Sequence, residues 1–340
     1  MERVAAPLKS KIMSAEEAAQ LVKSGMSIGL SGFTSVGYPK AVPSALAASG
    51  HAKDLTILVG AAVGDDCDGA LVRAGCVKKR FGHQTNKDLR TAINNGSVSF
   101  SDIHISHFPM NLNQQTLQGV DVAIVECVAI TEDGLYLCAS AGSTDAAVHN
   151  ARFVIAEVNT SVPMGLMGMH DIFEVGIPPR ARIINITDPR DRIGTPYVPC
   201  PPEKIAAIVM TDKLDPPQKF KPVTPATQKV GENVVKFLKD EIAAGRLPAD
   251  PGPIQSGVGS VGNAVLSVLS ASGFKGLTMY TEVMQDAAFS LIDQGVIDFV
   301  SASSIALAAD SRERFFENID QYRDKMVIRP QEISNHPEVI

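Results

Sequence analysis

The 340-residue sequence contains no tryptophan and no C-x-x-C pair. Its five cysteines, at 67, 76, 127, 138 and 200, are odd in number and scattered, which argues against a disulfide framework and fits reduced, buried thiols in a cytoplasmic protein. No apolar run is long enough to span a bilayer, so no membrane partner is expected. The opening stretch, MERVAAPLK, has neither the apolar core of a secretory signal nor a long Arg- and Ser-rich transit segment. The net charge is −6, and no basic block is longer than Lys78-Lys79-Arg80, which reads as a solvated face. The clustered Lys and Arg that a phosphate backbone demands are missing, which excludes a nucleic-acid partner. What remains is an ordinary globular composition. The length exceeds one ordinary core and predicts two domains.

Short β-type runs alternate with helical runs. Residues 15–23, 40–48 and 230–244 read as helices; 26–30, 55–59, 122–125, 153–158 and 206–210 read as strands by their Val, Ile, Leu and Ala content. This alternation predicts an α/β fold with a largely parallel sheet. Pro216, Pro217, Pro222 and Pro225 lie in a polar stretch that predicts a linker at 212–226, between an N-terminal domain at 1–211 and a C-terminal domain at 227–340. The two parts look alike. In the first, a strand passes through Gly29, Gly32 and Gly37 into a helix and then the strand at 54–58. In the second, Ile254-Gln255 passes through Gly257, Gly259 and Gly262 into a helix and then the strand at 276–280. INNGSVSFSD at 93–102 also parallels IDQGVIDFVS at 292–301, each a helix end, a glycine stop and a strand. Domains of related topology are expected.

Gly257-Val258-Gly259-Ser260-Val261-Gly262 satisfies the dinucleotide fingerprint G-x-G-x-x-G, and Glu282 follows Gly262 by twenty residues, near where a ribose-binding acid would sit. A NAD-dependent oxidoreductase is therefore one reading. Against it, Pro251-Gly252-Pro253 leaves only Ile254-Gln255-Ser256 where a long apolar strand should precede the loop. The physical content holds for either ligand: bare backbone N–H groups ahead of a helix N-terminus suit the phosphates and amides of coenzyme A as well as those of NAD.

Glu282 sits at the C-terminal end of a strand read at 277–281, where open α/β sheets place their ligand crevice, and ahead of a helix at 287–293. A partly desolvated carboxylate aimed at a thioester gives an acyl anhydride, which keeps the acyl group activated. Glu126, at the end of Ala123-Ile124-Val125, is an equivalent competitor. The histidines offer no metal site: His104 and His107 lie on a β-like run with opposite facing, and His170-Asp171 reads as a hydrogen-bonded pair without a serine nucleophile.

Four strings, SGFTSVGYPKAVPSAL at 31–46, QSGVGSVGNAVL at 255–266, TMYTEVMQD at 278–286 and RPQEISNHPEVI at 329–340, together resemble the acetyl-CoA hydrolase/transferase branch of the class I coenzyme A transferases. The resemblance runs in order from about residue 12 to the last. It implies two α/β domains of CoA-transferase type, usually in a homodimer, and an enzyme that moves CoA between acyl-CoA and small carboxylates. Coenzyme A would be a substrate, with no other cofactor and no metal. Glu282 corresponds to the glutamate that forms the anhydride and then a glutamyl-CoA thioester. Ser256, Gly257, Val258, Gly259 and Ser260 match the loop that contacts CoA, Asn335 matches an active-site asparagine that helps bind the reacting carboxylate, and Gly32, Phe33 and Thr34 match a first-domain loop facing the same cleft. Hydrolysis at the same site and a non-catalytic CoA-binding fragment remain alternatives. Family members continue past the NHPE motif, so the resemblance also implies that the second domain is incomplete in this chain, that a separate C-terminal segment could supply the rest, and that apolar faces at 297–300 and 305–307 are left exposed.

Overall fold

The computed structural model describes residues 2–219 and 222–340; Met1, at the head of the N-terminal segment, and Phe220 and Lys221 of the expected linker lie outside the described residues. Among the described residues, nine strands form the larger sheet: β1 (Ser27–Leu30), β2 (Leu55–Leu58), β3 (Val77–Phe81), β4 (Ser99–Ser101), β5 (Val122–Ile130), β6 (Gly134–Leu137), β7 (Phe153–Asn159), β8 (Val198–Pro199) and β9 (Ile205–Thr211). The order β4-β3-β2-β1-β5-β7-β9 is parallel throughout. The far half of β5 leaves this array and pairs antiparallel with β6, which carries β8. Every residue of β5 is buried, the pattern of a central parallel strand covered on both faces.

The second part holds β10 (Leu277–Tyr280), β11 (Val283–Met284), β12 (Ile297–Ala302), β13 (Ser304–Ile305) and β14 (Met326–Ile328). Strands β10-β12-β14 form a parallel sheet, and β11 pairs with β13. Ile254 adds a parallel bridge on the free side of β10 at Met279. Each half therefore grows outward from its first strand in chain order. The kinship reaches single hydrogen bonds. Leu55 N–H donates to Cys76 O and Leu277 N–H to Val296 O, both at 2.9 Å, and the register slips after Leu55 and after Leu277 alike. In space, then, 291–300 matches 71–80. The expected pairing of 292–301 with 93–102 falls one strand too far out, because helix–glycine–strand units look alike locally and their place in a sheet is decided by distant neighbours.

The long helix Pro225–Ala243 starts inside the stretch expected as linker. Proline is accepted at the first helical position, and the Thr224 hydroxyl takes the Thr227 N–H at 3.2 Å as a cap. The segments expected to be exposed are not. Ile297, Phe299, Val300, Ile305 and Leu307 are all buried, and all but Phe299 lie in a core shared with Phe289, Leu291, Phe315 and Tyr322 and with residues of the larger sheet. Between the halves, 139–142 docks on the second part: Ala141 N–H donates to Ser303 O, Ile305 N–H to Ala139 O and Gln331 N–H to Gly142 O (3.0, 2.9 and 2.8 Å).

Candidate active site

Glu282 lies between β10 and β11, separated from the end of β10 by Thr281. Its carbonyl accepts N–H bonds from Ser303 (2.9 Å) and Ser304 (3.3 Å), and the preceding Thr281 N–H donates to Ser301 O (2.9 Å). The backbone is thereby fixed where β10 hands over to β11. The side chain is half-buried. Burial raises its pKa, while the Asn335 side chain against the carboxyl and the charge of His83 draw it back down. Asn335 ends the short helix Gln331–Ser334, which the Tyr280 hydroxyl holds by donating to Ile333 O (2.8 Å).

His83 and Asn335 also line a cleft of about 400 Å³, with Asp102, Ile103, His104 and Ile105. His83 follows β3 and the other four follow β4, so the wall comes from the C-terminal ends of parallel strands, as expected for an open α/β sheet. The His83 loop is pinned by Arg80. This residue closes the basic run expected to be a solvated face, yet it is fully buried, while Lys78 and Lys79 are exposed. Its guanidinium donates to Val59 O (3.0 Å), Ala62 O (3.3 Å), Gly82 O (3.3 Å) and His83 O (3.1 Å), tying the loops after β2 and β3 together.

The glycine loop lies on the other side of the nucleophile candidate. Thr281 Oγ1 donates to Ser256 O (3.1 Å) and Gln285 Nε2 reaches Gly257 O (3.4 Å). Gly259, at φ 146°, caps the ten-residue helix Ser260–Leu269, and no atom stands within 4 Å of a side chain built at Gly257 or Gly259. The loop therefore has open space at Gly257 and Gly259, while its Ser256 and Gly257 carbonyls face Thr281 and Gln285. The strand that the dinucleotide fingerprint requires is reduced to the single bridge of Ile254.

Other expected residues are placed differently. Glu126 is buried and its Oε1 is taken by Lys40 Nζ (2.8 Å) and Asn159 Nδ2 (2.7 Å), which leaves it in a salt bridge. His104 and His107 lie on a turn leading into a helix, with ring centroids 5.0 Å apart, so they share a face where strand alternation implied opposite ones. His170 is buried with both ring nitrogens unpartnered, and Asp171 pairs with Arg329 instead. Phe33 is in the core; Thr34 bonds to Ala61 O and Val63 N–H (3.0 and 2.7 Å), one loop away from the cleft.

Asp145 and Glu332 were not anticipated. Both are buried, Glu332 on the helix that Asn335 ends and Asp145 on the helix Thr144–Asn150, each with one oxygen lacking a partner. Burial, with the Glu174 charge added, pushes Asp145 up to about 7; burial, with Asp145 and Glu174, pushes Glu332 up to about 8. The folded protein then binds more protons than the unfolded chain above the ordinary carboxylate range. Stability is full below that range and is lost as pH rises through 7 to 8. Glu332→Gln is expected to raise the melting temperature by a few degrees at pH 8.5 and by much less at pH 5; equal gains at both would contradict this.

Residues 1–210 match the family model described as the acetyl-CoA hydrolase/transferase N-terminal domain. The chain is 43% identical over 337 residues to the succinyl-CoA:acetate CoA-transferase of Clostridium kluyveri, covering 98% of this chain and 63% of that protein. It is 37% identical over 356 residues to the acetyl-CoA hydrolase of Schizosaccharomyces pombe (98% and 68% covered) and 36% identical over 337 residues to the propanoyl-CoA:succinate CoA transferase of Escherichia coli (96% and 68%). It thus spans about two thirds of the length of these relatives, and 63% of the first. Among solved structures, RipA from Yersinia pestis superposes with a TM-score of 0.74 at 17% identity, over 98% of this chain and 71% of that one. The 4-hydroxybutyrate CoA-transferase of Porphyromonas gingivalis gives 0.62 at 19% identity, over 97% and 70%. At these identities the likeness concerns the fold. Among the described residues no helix is long and apolar enough to cross a membrane.

Proposed function

The chain belongs to the acetyl-CoA hydrolase/transferase family, and from that premise we propose that it transfers CoA between an acyl-CoA and a small carboxylate, with Glu282 as the nucleophile. One observation carries the reading: a half-buried carboxylate at a strand end, with the Asn335 side chain against it and the His83 charge acting on it, the two residues through which both halves of the chain line a cleft of about 400 Å³. The Glu282 carboxylate attacks the thioester carbonyl. The C–S bond breaks, and CoA leaves as a thiolate from an acyl-glutamyl anhydride. The thiolate then attacks the glutamyl carbonyl, releasing the first carboxylate and leaving a glutamyl-CoA thioester. An acceptor carboxylate runs the two steps in reverse. The Asn335 amide, lying on the Glu282 carboxyl, is placed to donate to the oxygens of the reacting carboxyl groups. The loop Ser256, Gly257, Val258, Gly259 and Ser260, with its open space at Gly257 and Gly259, would receive the CoA beside them. Coenzyme A is consumed and returned as a substrate, and the steps call for no metal or other cofactor.

The relatives' substrates set the assay: acetyl-, propionyl- and succinyl-CoA against acetate and succinate. Ping-pong exchange without net thiol release is expected. Thiol release at the same rate without an acceptor would favour the second reading, an acetyl-CoA hydrolase, which the partial exposure of Glu282 to water supports. A NAD-dependent absorbance change with no exchange of CoA would overturn both.

A further inference from the structure

Gly60 occupies in the first half the place that Glu282 occupies in the second, five residues after Leu55 as Glu282 is five after Leu277. Where the second half carries a carboxylate, the first carries no side chain, and the space is filled by Gln331. A Cβ at Gly60 would collide with the Gln331 amide. Gln331 is fully buried. Its Nε2 donates to Ile105 O (2.7 Å), on the cleft wall, and its main chain donates to Gly142 O (2.8 Å). The Gly60 carbonyl beneath it accepts the His83 N–H (2.9 Å). The Gln331 carbonyl in turn accepts both the backbone N–H and the Nδ2 of Asn335, each at 3.1 Å. That last bond orients the Asn335 amide, whose side chain lies against the Glu282 carboxyl. The Gln331 amide is itself oriented. Turned over, it would set Oε1 against the Ile105 carbonyl, acceptor against acceptor. One buried residue therefore touches the supports of both groups that bear on the nucleophile, His83 from the first half and Asn335 from the second.

We propose that Gln331 is a positioning residue for the reaction: it holds the cleft wall built by the first half in register with Asn335, and so sets how His83 and Asn335 meet Glu282. The proposal rests on the reading of Glu282 as nucleophile, and its test keeps the two apart. Gln331→Met keeps the length and removes the amide; Gly60→Ala keeps Gln331 and displaces it. Both are expected to lower kcat by about ten- to a hundredfold, the cost of a misplacement near one ångström, with KM for acyl-CoA unchanged. In an Asn335→Ala background Gln331→Met should cost clearly less than it does alone, because only its effect through the His83 wall is then left. A second readout needs no turnover. The Glu282 carboxyl can be followed by carbon NMR of labelled glutamate, with Glu282→Gln identifying the signal. Its titration should move to higher pH in Gln331→Met and in Gly60→Ala, because the Asn335 bond and the His83 charge that hold it down are both loosened. Asp102 and His104, the other titratable groups on the cleft wall, are unchanged in both variants. An unmoved titration in variants that melt cooperatively, or losses that add to that of Asn335→Ala, would overturn the proposal. Full activity of Glu282→Ala would instead sink the nucleophile and leave the titration to judge Gln331. Should one variant fail to fold, the other carries the same readouts.

Discussion

Glu282→Ala is expected to lower CoA exchange by at least about ten-thousandfold, the scale seen when a nucleophile is removed from an otherwise intact site. The fold should be untouched, because the Glu282 contacts that order the chain are made by its backbone carbonyl to Ser303 and Ser304. Glu282→Asp keeps the charge and pulls it back by one methylene. It should still cost at least about a hundredfold, since an ångström of displacement is that expensive to an in-line attack. Glu282→Gln separates charge from shape and should resemble alanine. Exchange assays with succinyl-CoA and labelled acetate, beside melting curves for each variant, read both effects. Equal loss in a Glu126→Gln variant of unchanged stability would point to the wrong carboxylate.

Lys40→Met is expected to destabilise the fold by about 3–5 kcal/mol, the cost of breaking a buried ion pair from one side. Lys40 is buried; its Nζ donates to Glu126 Oε1 (2.8 Å) and Tyr38 O (2.8 Å) and forms an ion pair with Asp215 Oδ1 (2.7 Å). Burial alone would lower the lysine's pKa, but the two carboxylates outweigh it and keep the ammonium charged. Its backbone is anchored too. The N–H groups of Lys40, Ala41 and Val42 all donate to the buried Glu157 carboxylate (2.7, 2.9 and 2.7 Å) at the start of the helix Ala41–Ser49. Methionine fills the volume and leaves two carboxylates facing each other in the core. Urea unfolding should show the loss, and adding Glu126→Gln to Lys40→Met should restore part of it, because one orphaned charge is then gone. A loss below about 1 kcal/mol would place the trio with exposed ion pairs.

Much of this was legible in the residues. Strand runs of Val, Ile and Leu located β1, β2, β5, β7, β9 and β10 within a few residues, since a buried parallel strand has a continuous apolar signature. The glycines of 257–262 mark a turn into a helix, and the structure has that helix, though the strand before it shrinks to the bridge at Ile254. Glu282 at a strand end was legible for the same reason. What the chain could not announce is anything decided across the sheet. His83 and Asp102 share a cleft with Asn335 because the sheet edge that carries β3 and β4 meets the end of the second half, residues far apart along the chain. Arg80 reads as the end of a basic surface run, and only the four carbonyls of the two loops around it explain why it is inside. The Lys40–Asp215 pair spans 175 positions and has no local signal. His104 and His107 were assigned opposite faces by a strand period that a turn then abolished. The same long-range closure covers β12 and β13, whose apolar residues looked unprotected from sequence alone.

The central claim is that the Glu282 carboxylate becomes covalently bonded to CoA during turnover. It is tested by incubating the protein with acyl-CoA, quenching, and mapping the adduct by peptide mass spectrometry, with borohydride reduction as a control for a thioester. The expected result is a borohydride-sensitive gain of the CoA mass on the peptide carrying Glu282, absent in Glu282→Ala. CoA exchange with no such adduct, or an adduct on the peptide carrying Glu126, would contradict it.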